Sequence, residues 1–283
     1  MKILFTGNRG NLGKELIPLL EEDHSVQCYN IDYSNFDTVN SFFRHREIDF
    51  IIHAAIRGGR RVRADIADDF YNNMMMFENL AAQKIPMINI CSGASYGRQD
   101  DIFKVDEKNF GGRIPTDYYG LSKYLITQRC RQLNHVYNLR FFNVFGACAP
   151  KDMFTTANIV NYINRREIVV FKDKFMDFFG VRDAFKVIDL YLKSGRERCN
   201  LPKELNLVYP EVTLLSEVAG MINNLSDHEV PVDVLESGND RAYCGSGGEL
   251  LKLGLELDGL QKSLQYVYDT KDCFLCVMGF SIL

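Results

Sequence analysis

The first twenty residues limit the possible folds more than any other part of the sequence. A short apolar run, residues 2–5, enters the segment TGNRGNLG at residues 6–13 and leaves it as the amphipathic stretch KELIPLL. A strand, a glycine-rich turn and a helix in this order form the first half of a βαβ unit. In such a turn Gly7 permits the tight bend, Gly10 lets a pyrophosphate approach the backbone, and Gly13 allows close helix-to-strand packing. The sequence therefore predicts a dinucleotide at the helix N-terminus.

The same rhythm continues along the first half of the chain. Apolar runs return at residues 49–55, 87–91 and 139–144, with amphipathic stretches such as 68–83 and 119–133 between them. Alternation of this kind predicts a parallel sheet covered by helices on both faces. We therefore predict an α/β protein with a Rossmann-like doubly wound parallel sheet.

The second half of the chain has a different pattern. After Gly146 short apolar runs and helical stretches are mixed, and a glycine-bearing segment precedes residues 250–253. We divide the chain into a dinucleotide-binding domain at 1–146, with 177–194 returning to it, and a substrate-binding region at 147–176 and 195–283. This region is predicted to be smaller and of mixed α/β structure.

Charge and cysteine content exclude several classes of function. The chain has 283 residues, of which 33 are basic and 37 acidic, and its formal net charge of -4 disfavours nucleic-acid binding. No apolar run approaches the roughly 20 residues of a membrane span, so we expect a cytoplasmic protein with no membrane contact. The eight cysteines are scattered, which predicts reduced thiols and no metal site. We expect the closely spaced Cys273 and Cys276 to belong to a structural tail.

The charge near the adenosine ribose should decide which cofactor binds. Arg9 lies inside the glycine-rich turn, and a cation there suits the 2′-phosphate of NADP(H). Asp32 is the first carboxylate after the predicted second strand, residues 25–30, and could instead bind a ribose hydroxyl of NAD(H). We expect NADP(H) and keep NAD(H) as possible.

A tyrosine and a lysine four residues apart suggest proton transfer. Tyr119 and Lys123 share one face of a helix, where the adjacent cation is expected to lower the phenol pKa from its ordinary value near 10. Tyr119 could then exchange a proton with a carbinol or carbonyl oxygen during hydride transfer. Ser92 follows an apolar strand, at the sheet edge where ligands bind, and could hydrogen-bond the same oxygen.

Taken in order along the chain, these motifs resemble those of a known family. The set comprises the three glycines of the turn, His53-Ala54-Ala55, Ser92 before Tyr96-Gly97, Tyr119-x-x-x-Lys123, Arg140-x-x-Asn143-Val144-Phe145-Gly146 and Asp177-Phe178-x-x-Val181-x-Asp183. It is similar to the extended short-chain dehydrogenase/reductases that act on nucleotide sugars, over nearly the whole chain. Within that family the glycine-rich turn and residues 54–59 most resemble GDP-fucose synthases, and the short second strand resembles dTDP-4-dehydrorhamnose reductases.

The resemblance implies roles for individual residues. It makes Ser92, Tyr119 and Lys123 the catalytic residues and places Asn143, Arg166 and Arg241 near a nucleotide-diphosphate sugar. It implies a cofactor site made of Gly7, Arg9, Gly10, Asn11, Leu12, Gly13, Asp32, Ala54, Ala55 and Lys123. Homodimers are common in the family, so we expect a homodimer.

Departures from the family pattern narrow the expected reaction. The cysteine and histidine that carry epimerisation in GDP-fucose synthases are replaced here by Ala94 and, by our alignment, Asn158, and Met176 replaces an arginine. Gly93 and Ala94 follow Ser92 where 4,6-dehydratases have an Asp-Glu pair. We predict an NADPH-dependent reductase of a nucleotide-linked 4-keto-6-deoxy sugar, with doubtful epimerase activity. An NAD-dependent nucleotide-sugar 4-epimerase and a non-catalytic dinucleotide-binding regulatory protein remain as alternatives.

Overall fold

A computed structural model of the protein describes residues 1–59 and 63–270. The strands are β1 (Lys2–Thr6), β2 (Ser25–Gln27), β3 (Phe50–His53), β4 (Met87–Ser92), β5 (Ile102–Val105), β6 (Val136–Phe141), β7 (Val144–Phe145), β8 (Ile168–Asp173), β9 (Phe179–Gly180), β10 (Glu204–Leu207), β11 (Val232–Asn239) and β12 (Tyr243–Gly245). The helices are α1 (Asn11–Glu21), α2 (Phe36–Arg44), α3 (Ala67–Ala81), α4 (Tyr118–Arg131), α5 (Phe154–Ile163), α6 (Val181–Lys193), α7 (Leu215–Asn223), α8 (Gly248–Leu251) and α9 (Gly259–Asp269).

Six parallel strands form the central sheet, in the order β10-β6-β4-β3-β1-β2. Alternate residues of each strand point to opposite faces of the sheet. Apolar residues lie on both faces, so helices pack on both. Ile3 and Phe5 of β1 pack in one core with Leu16 of α1 and Val187 of α6. Leu4, between them, packs in another core with residues of α2, α3 and α4. The predicted doubly wound α/β fold is confirmed.

Two predicted strands have different bounds in the structure. The edge strand β2 ends at Gln27 instead of residue 30, and all three of its residues are at least partly exposed. The strand predicted at 139–144 is β6, which begins at Val136 and is buried throughout. Its early residues include Asn138, whose side-chain oxygen accepts a 2.7 Å hydrogen bond from buried Asn89. The Oδ1 atom of Asn89 has no hydrogen-bond partner among the described residues, so the pair is only partly satisfied. A search for apolar residues does not find such buried polar residues.

A second core lies beside the main sheet, in the part of the chain after residue 146. It joins α5, α7 and α9 to β8 through side chains such as Ile159, Ile168, Val218 and Leu264. The strand pairs β8–β11, β7–β9 and β5–β12 are all parallel. Our division placed residues 195–283 in the smaller region, but β10 extends the main sheet by pairing with β6.

Asp183 on α6 binds the segment at the start of α9 through hydrogen bonds. Its buried carboxylate accepts hydrogen bonds from Tyr209 Oη at 2.7 Å and from the backbone N–H of Asp258 at 2.8 Å and of Gly259 at 3.1 Å. It also pairs with Lys186 at 3.0 Å. The start of α9 is therefore held against α6. No helix among the described residues is both long and apolar enough to cross a membrane.

Candidate active site

The strand order reverses between β1 and β3, and doubly wound sheets bind ligands in the crevice outside the carboxyl ends of the strands at such a point. The two strand ends are joined by side chains. Thr6 Oγ1 lies 2.8 Å from His53 Nδ1 and accepts the backbone N–H of Ala55 at 3.2 Å. Burial lowers the pKa of His53 to about 3, so this histidine is neutral and serves the hydrogen bond.

The glycine-rich turn fits a dinucleotide. Gly7 has φ +82°, and a Cβ there would lie 2.7 Å from the backbone of Ala54 and Ala55, so the turn and the end of β3 touch. A Cβ on Gly13 would lie 2.6 Å from the backbone of Asn8, as close helix-to-strand packing requires. Gly10 begins α1 with no side-chain cap, so its first-turn N–H groups can receive a phosphate.

The residues predicted to read the ribose are exposed beside this turn. Arg9 is exposed on the turn, and Asp32 is exposed beyond β2. Hydrogen bonds from the side chain and backbone of Ser34 lower the pKa of Asp32, and the positive charge of Arg57 lowers it further. Arg57 follows β3 and is a second cation on this side of the crevice.

Ser92 and Tyr119 line one cavity of about 400 Å³. They are brought together because β4 ends at Ser92 and α4 begins one residue before Tyr119. Ser92 Oγ accepts the N–H of Ala94 at 3.2 Å and lies 3.3 Å from the hydroxyl of Tyr243. Two hydroxyl groups of the predicted catalytic set therefore face the same space.

Our expectation that the neighbouring cation lowers the pKa of Tyr119 is wrong. Burial raises the pKa of Tyr119 to about 12, more than a hydrogen bond with Ser92 lowers it. Lys123 Nζ lies 5.9 Å from the centroid of the Tyr119 ring and donates to the carbonyl of Ile90 at 2.7 Å. Burial also lowers the pKa of Lys123, since no carboxylate pairs with it among the described residues.

Two of the three predicted sugar contacts reach the cavity. Asn143 and Arg241 line it, and Asn143 donates to the carbonyl of Asp177 at 2.9 Å. Arg166 is exposed in the turn between α5 and β8, away from the residues that line the cavity. The structure thus groups Asn143 and Arg241 with Ser92 and Tyr119 and does not bring Arg166 to them.

Several cavity residues were not predicted from the sequence. The cavity is also lined by side chains that the sequence did not point to: Arg98, Phe142, Lys174, Asp240 and Tyr243. Met176 lines it as well, and the sequence had marked this residue only as the replacement of an arginine in the family pattern. Position gave a signal for two of them, because Arg98 directly follows Tyr96-Gly97 and Tyr243 stands two residues after Arg241.

Two charged side chains of the motifs, one basic and one acidic, hold the structure around the site. Arg140 is fully buried and bonds Ser95, Tyr96, Asn206 and Glu204. Asp177 accepts the N–H of Gly245 at 2.6 Å and so holds β12, which carries Tyr243. Burial raises the pKa of Asp177 to about 7.

Cys273 and Cys276 lie outside the described residues. Within residues 1–59 and 63–270, no cluster of His, Cys, Asp and Glu is arranged to hold a metal ion.

Comparisons with known proteins agree with this fold. The GDP-6-deoxy-D-talose 4-dehydrogenase of Aggregatibacter actinomycetemcomitans is 23% identical over 205 residues, which cover 66% of this chain and 69% of that protein. The NADP-bound GDP-L-fucose synthetase of Naegleria fowleri has a TM-score of 0.77 at 14% identity, covering 96% of this chain and 93% of that one. The UDP-glucose 4-epimerase of Thermotoga maritima, solved with UDP-glucose, has a TM-score of 0.79 at 17% identity, covering 97% and 100%.

At these identities the two solved structures show the fold alone. A family model described as "NAD dependent epimerase/dehydratase family" matches residues 3–206, well over half of the chain. That span contains the glycine-rich turn, Ser92, Tyr119, Lys123 and Asn143. The resemblance seen in the sequence is therefore confirmed, and the chain belongs to the NAD dependent epimerase/dehydratase family.

Proposed function

We propose that the protein is an NADPH-dependent reductase of a nucleotide-linked 4-keto-6-deoxy sugar, with little or no C3/C5 epimerase activity. The observation that carries this proposal is the cavity in which Ser92 and Tyr119 meet Asn143 and Arg241. A carbonyl between the two hydroxyls would be polarised by both. Arginine suits the diphosphate, because its forked donors can engage phosphate oxygens in pairs.

Each residue of the catalytic set has a distinct task in this reaction. A bound nicotinamide would supply the hydride to the sugar carbonyl carbon. Tyr119 gives its phenol proton to the carbonyl oxygen, and Ser92 steadies that oxygen by a hydrogen bond. Ser92 accepts the N–H of Ala94 through a lone pair, and this bond does not use the proton of its own hydroxyl. The buried ammonium of Lys123 would contact the cofactor ribose.

Two cations favour NADPH over NADH. Arg9 on the glycine-rich turn and Arg57 after β3 are both exposed beside the crevice, where a 2′-phosphate would add negative charge. The carboxylate of Asp32 would instead favour NADH. Ser34 already hydrogen-bonds this carboxylate, and the positive charge of Arg57 compensates it. The Naegleria fowleri synthetase, which is similar in fold, was solved with NADP.

The names of the relatives support the class of substrate. The Aggregatibacter protein is a dehydrogenase at C4 of a GDP-linked 6-deoxy sugar, and the Naegleria protein is a synthetase of GDP-L-fucose. Epimerisation at C3 and C5 needs acid and base groups beside the hydride-transfer site. Ala94 stands in one of the expected positions, and Asn158 binds the backbone of Val169 on both its N–H and its carbonyl.

A panel of substrates tests the proposal. The protein is incubated with NADPH and the GDP-, dTDP- and CDP-linked 4-keto-6-deoxy sugars, and cofactor oxidation is followed together with product stereochemistry. We expect one nucleotide series to oxidise NADPH and give a 4-hydroxy product whose C3 and C5 are unchanged. If none of the three series oxidises NADPH, the reductase proposal fails.

A 4-epimerase is the second candidate, favoured by the similarity to the UDP-glucose 4-epimerase fold and by Asp32. An epimerase of this kind keeps NAD bound and needs no external reductant. Interconversion of UDP-glucose and UDP-galactose without added cofactor would therefore identify it. If the protein bound a dinucleotide tightly and turned over none of these sugars, the non-catalytic alternative would gain support.

A further inference from the structure

One arginine joins the structural parts that surround Tyr119. Arg98 donates to Asp117 from Nε at 3.2 Å and from Nη2 at 2.9 Å, and Nη2 lies 3.5 Å from Oδ2 of Asp65. Its guanidinium carbon lies 5.5 Å from the centroid of the Tyr119 ring. A single side chain therefore contacts the proposed proton donor and two carboxylates from different segments.

The first of these carboxylates begins the helix that carries Tyr119. Asp117 precedes α4, and its Oδ1 accepts the backbone N–H of Gly120 at 2.8 Å as a helix cap. The same carboxylate receives the two donors of Arg98. Because Tyr119 lies between Asp117 and Gly120, the cap and the arginine together fix the turn of backbone from which the phenol projects.

The second carboxylate holds a loop against the tyrosine ring. Asp65 Oδ1 accepts the backbone N–H of Gly59 at 2.6 Å. A Cβ on Gly59 would lie 2.6 Å from Cε2 of Tyr119, so this glycine backbone packs directly on the ring. Arg98 thus connects the loop that touches the ring to the helix that carries it.

We propose that Arg98 is a positioning residue for the reaction at Tyr119, which it serves by holding the ring and by compensating Asp65 and Asp117. This inference rests on the proposed role of Tyr119 in proton transfer. The other titratable groups that act on the phenol or on Arg98 are Lys123, Cys91 and Tyr243. Lys123 donates to a backbone carbonyl, and Arg63 adds positive charge near Asp65 without bonding to it. Among the described residues, Arg98 is the cation that bonds to Asp65 and Asp117.

Removing the arginine should harm proton transfer in two ways. The Tyr119 phenol loses a nearby positive charge. The carboxylates of Asp65 and Asp117 lose the arginine that compensates their negative charge beside the ring. Both changes disfavour the phenolate, so the pKa of Tyr119 should rise above its present value. A guanidinium stays protonated at every pH of interest, whereas a lysine amine loses its charge near pH 10.

The test compares pH–rate profiles of four variants, measured in the direction of alcohol oxidation, in which Tyr119 must lose its proton. For Arg98→Met we expect kcat near neutral pH to fall about tenfold or more and the rising limb of the profile to move up by about one pH unit. The KM for the cofactor should not change. Arg98→Lys has no fork, and its amine loses its charge near pH 10, below the pKa of Tyr119. Its kcat should therefore fall, and its limb should move up by less than that of Arg98→Met.

A double variant and a matched control sharpen the comparison. Adding Asp65→Asn to Arg98→Met removes one uncompensated charge while keeping an acceptor for Gly59, so the limb should move part of the way back. Arg113 is a partly exposed arginine on a neighbouring loop that donates to the carbonyl of Asp101. Arg113→Met should leave both kcat and the profile unchanged.

A measurement without substrate separates this inference from the proposed function. A rapid jump to about pH 12, the pKa of Tyr119, is followed by phenolate absorbance before unfolding, and the Tyr119→Phe signal is subtracted. Arg98→Met should give less Tyr119 phenolate than the wild type. An equal amplitude, or an activity loss of the same size at every pH, would overturn the inference. A reduced amplitude with no sugar turned over would reject the reductase and leave the placement of Arg98 intact.

Discussion

At the scale of single residues, the phenol of Tyr119 is the group on which the proposed reaction depends. Tyr119→Phe keeps the ring that packs on Gly59 and removes only the proton-transfer group. We expect kcat to fall by about 10²-fold or more, with dinucleotide affinity and thermal stability near those of the wild type. Steady-state kinetics and a cofactor titration on the same preparation check this. Undiminished turnover would mean that another group carries the proton.

Arg9 is the residue that should distinguish the two cofactors. Arg9 is exposed, so Arg9→Ala removes a charge without opening a cavity in the core. One charge-assisted contact to phosphate is worth on the order of 1.5 to 3 kcal/mol. We therefore expect NADPH to bind roughly ten- to a hundredfold more weakly and NADH to bind as before. Calorimetric titration of both cofactors gives the answer, and equal losses would show that Arg9 only supports the turn.

At the scale of elements, the turn between β1 and α1 has no room for a side chain. Gly7→Ala would force a residue with a Cβ into φ +82° and against the backbone of Ala54 and Ala55. We expect loss of measurable dinucleotide binding and a decrease in unfolding free energy of about 1 to 3 kcal/mol from the strained backbone alone. Both can be measured by fluorescence titration and urea unfolding.

A second glycine with positive φ, Gly111, provides the matched control for Gly7→Ala. It has φ +100°, but nothing lies within 4 Å of its missing Cβ. Gly111→Ala should therefore carry the backbone strain without the collision, and cofactor binding should survive. If the Gly7 and Gly111 variants bound the dinucleotide equally well, the turn would not be the cofactor site.

Element type followed from the sequence wherever one face or both faces of an element are apolar. β1, β3 and β4 are mostly apolar because the parallel sheet is covered on both sides, and this pattern predicted them closely. Strand ends were less certain, since polar residues such as Asn138 are buried through a hydrogen bond with Asn89. Strand β2 is shorter than predicted. It lies at the edge of the sheet and pairs on one side only, with β1.

At the scale of the whole molecule, Asp177 should make stability depend on pH. Its pKa in the folded chain is about 7, above the ordinary value of 3.8, so folding favours the protonated carboxyl. Its contribution is therefore fully present below about pH 4 and is lost as the pH rises to about 7. Asp177→Asn has no such loss and can still accept the N–H of Gly245.

The expected result is a difference between the two proteins that changes with pH. Relative to the wild type, Asp177→Asn should gain unfolding free energy between about pH 4 and pH 7, with roughly 4 kcal/mol as an upper limit. Urea unfolding at several pH values measures this. If the unfolding free energies of the two proteins changed with pH in parallel across that range, burial would not raise the pKa of Asp177.

The cavity shows where sequence reasoning stops. Ser92 and Tyr119, which line the cavity, could be selected from the sequence because their chemistry and their places in short motifs are visible there. Tyr243 was not predictable, because its hydroxyl reaches Ser92 only through the pairing of β12 with β5, and this pairing depends on packing between distant segments. Arg98 stood next to a motif, but its partners Asp65 and Asp117 become neighbours only in the folded chain.

The separation of Ser92 and Tyr243 by 151 positions has a consequence for how the protein is made. Contacts between residues far apart in sequence form late, since a long loop must close before they are gained. The strands β1, β3, β4 and β6 and the glycine-rich turn leave the ribosome long before β12. A nascent chain should therefore form the crevice at β1 and β3 first, and it should complete the wall of the cavity beside Ser92 only after β12 has been synthesised.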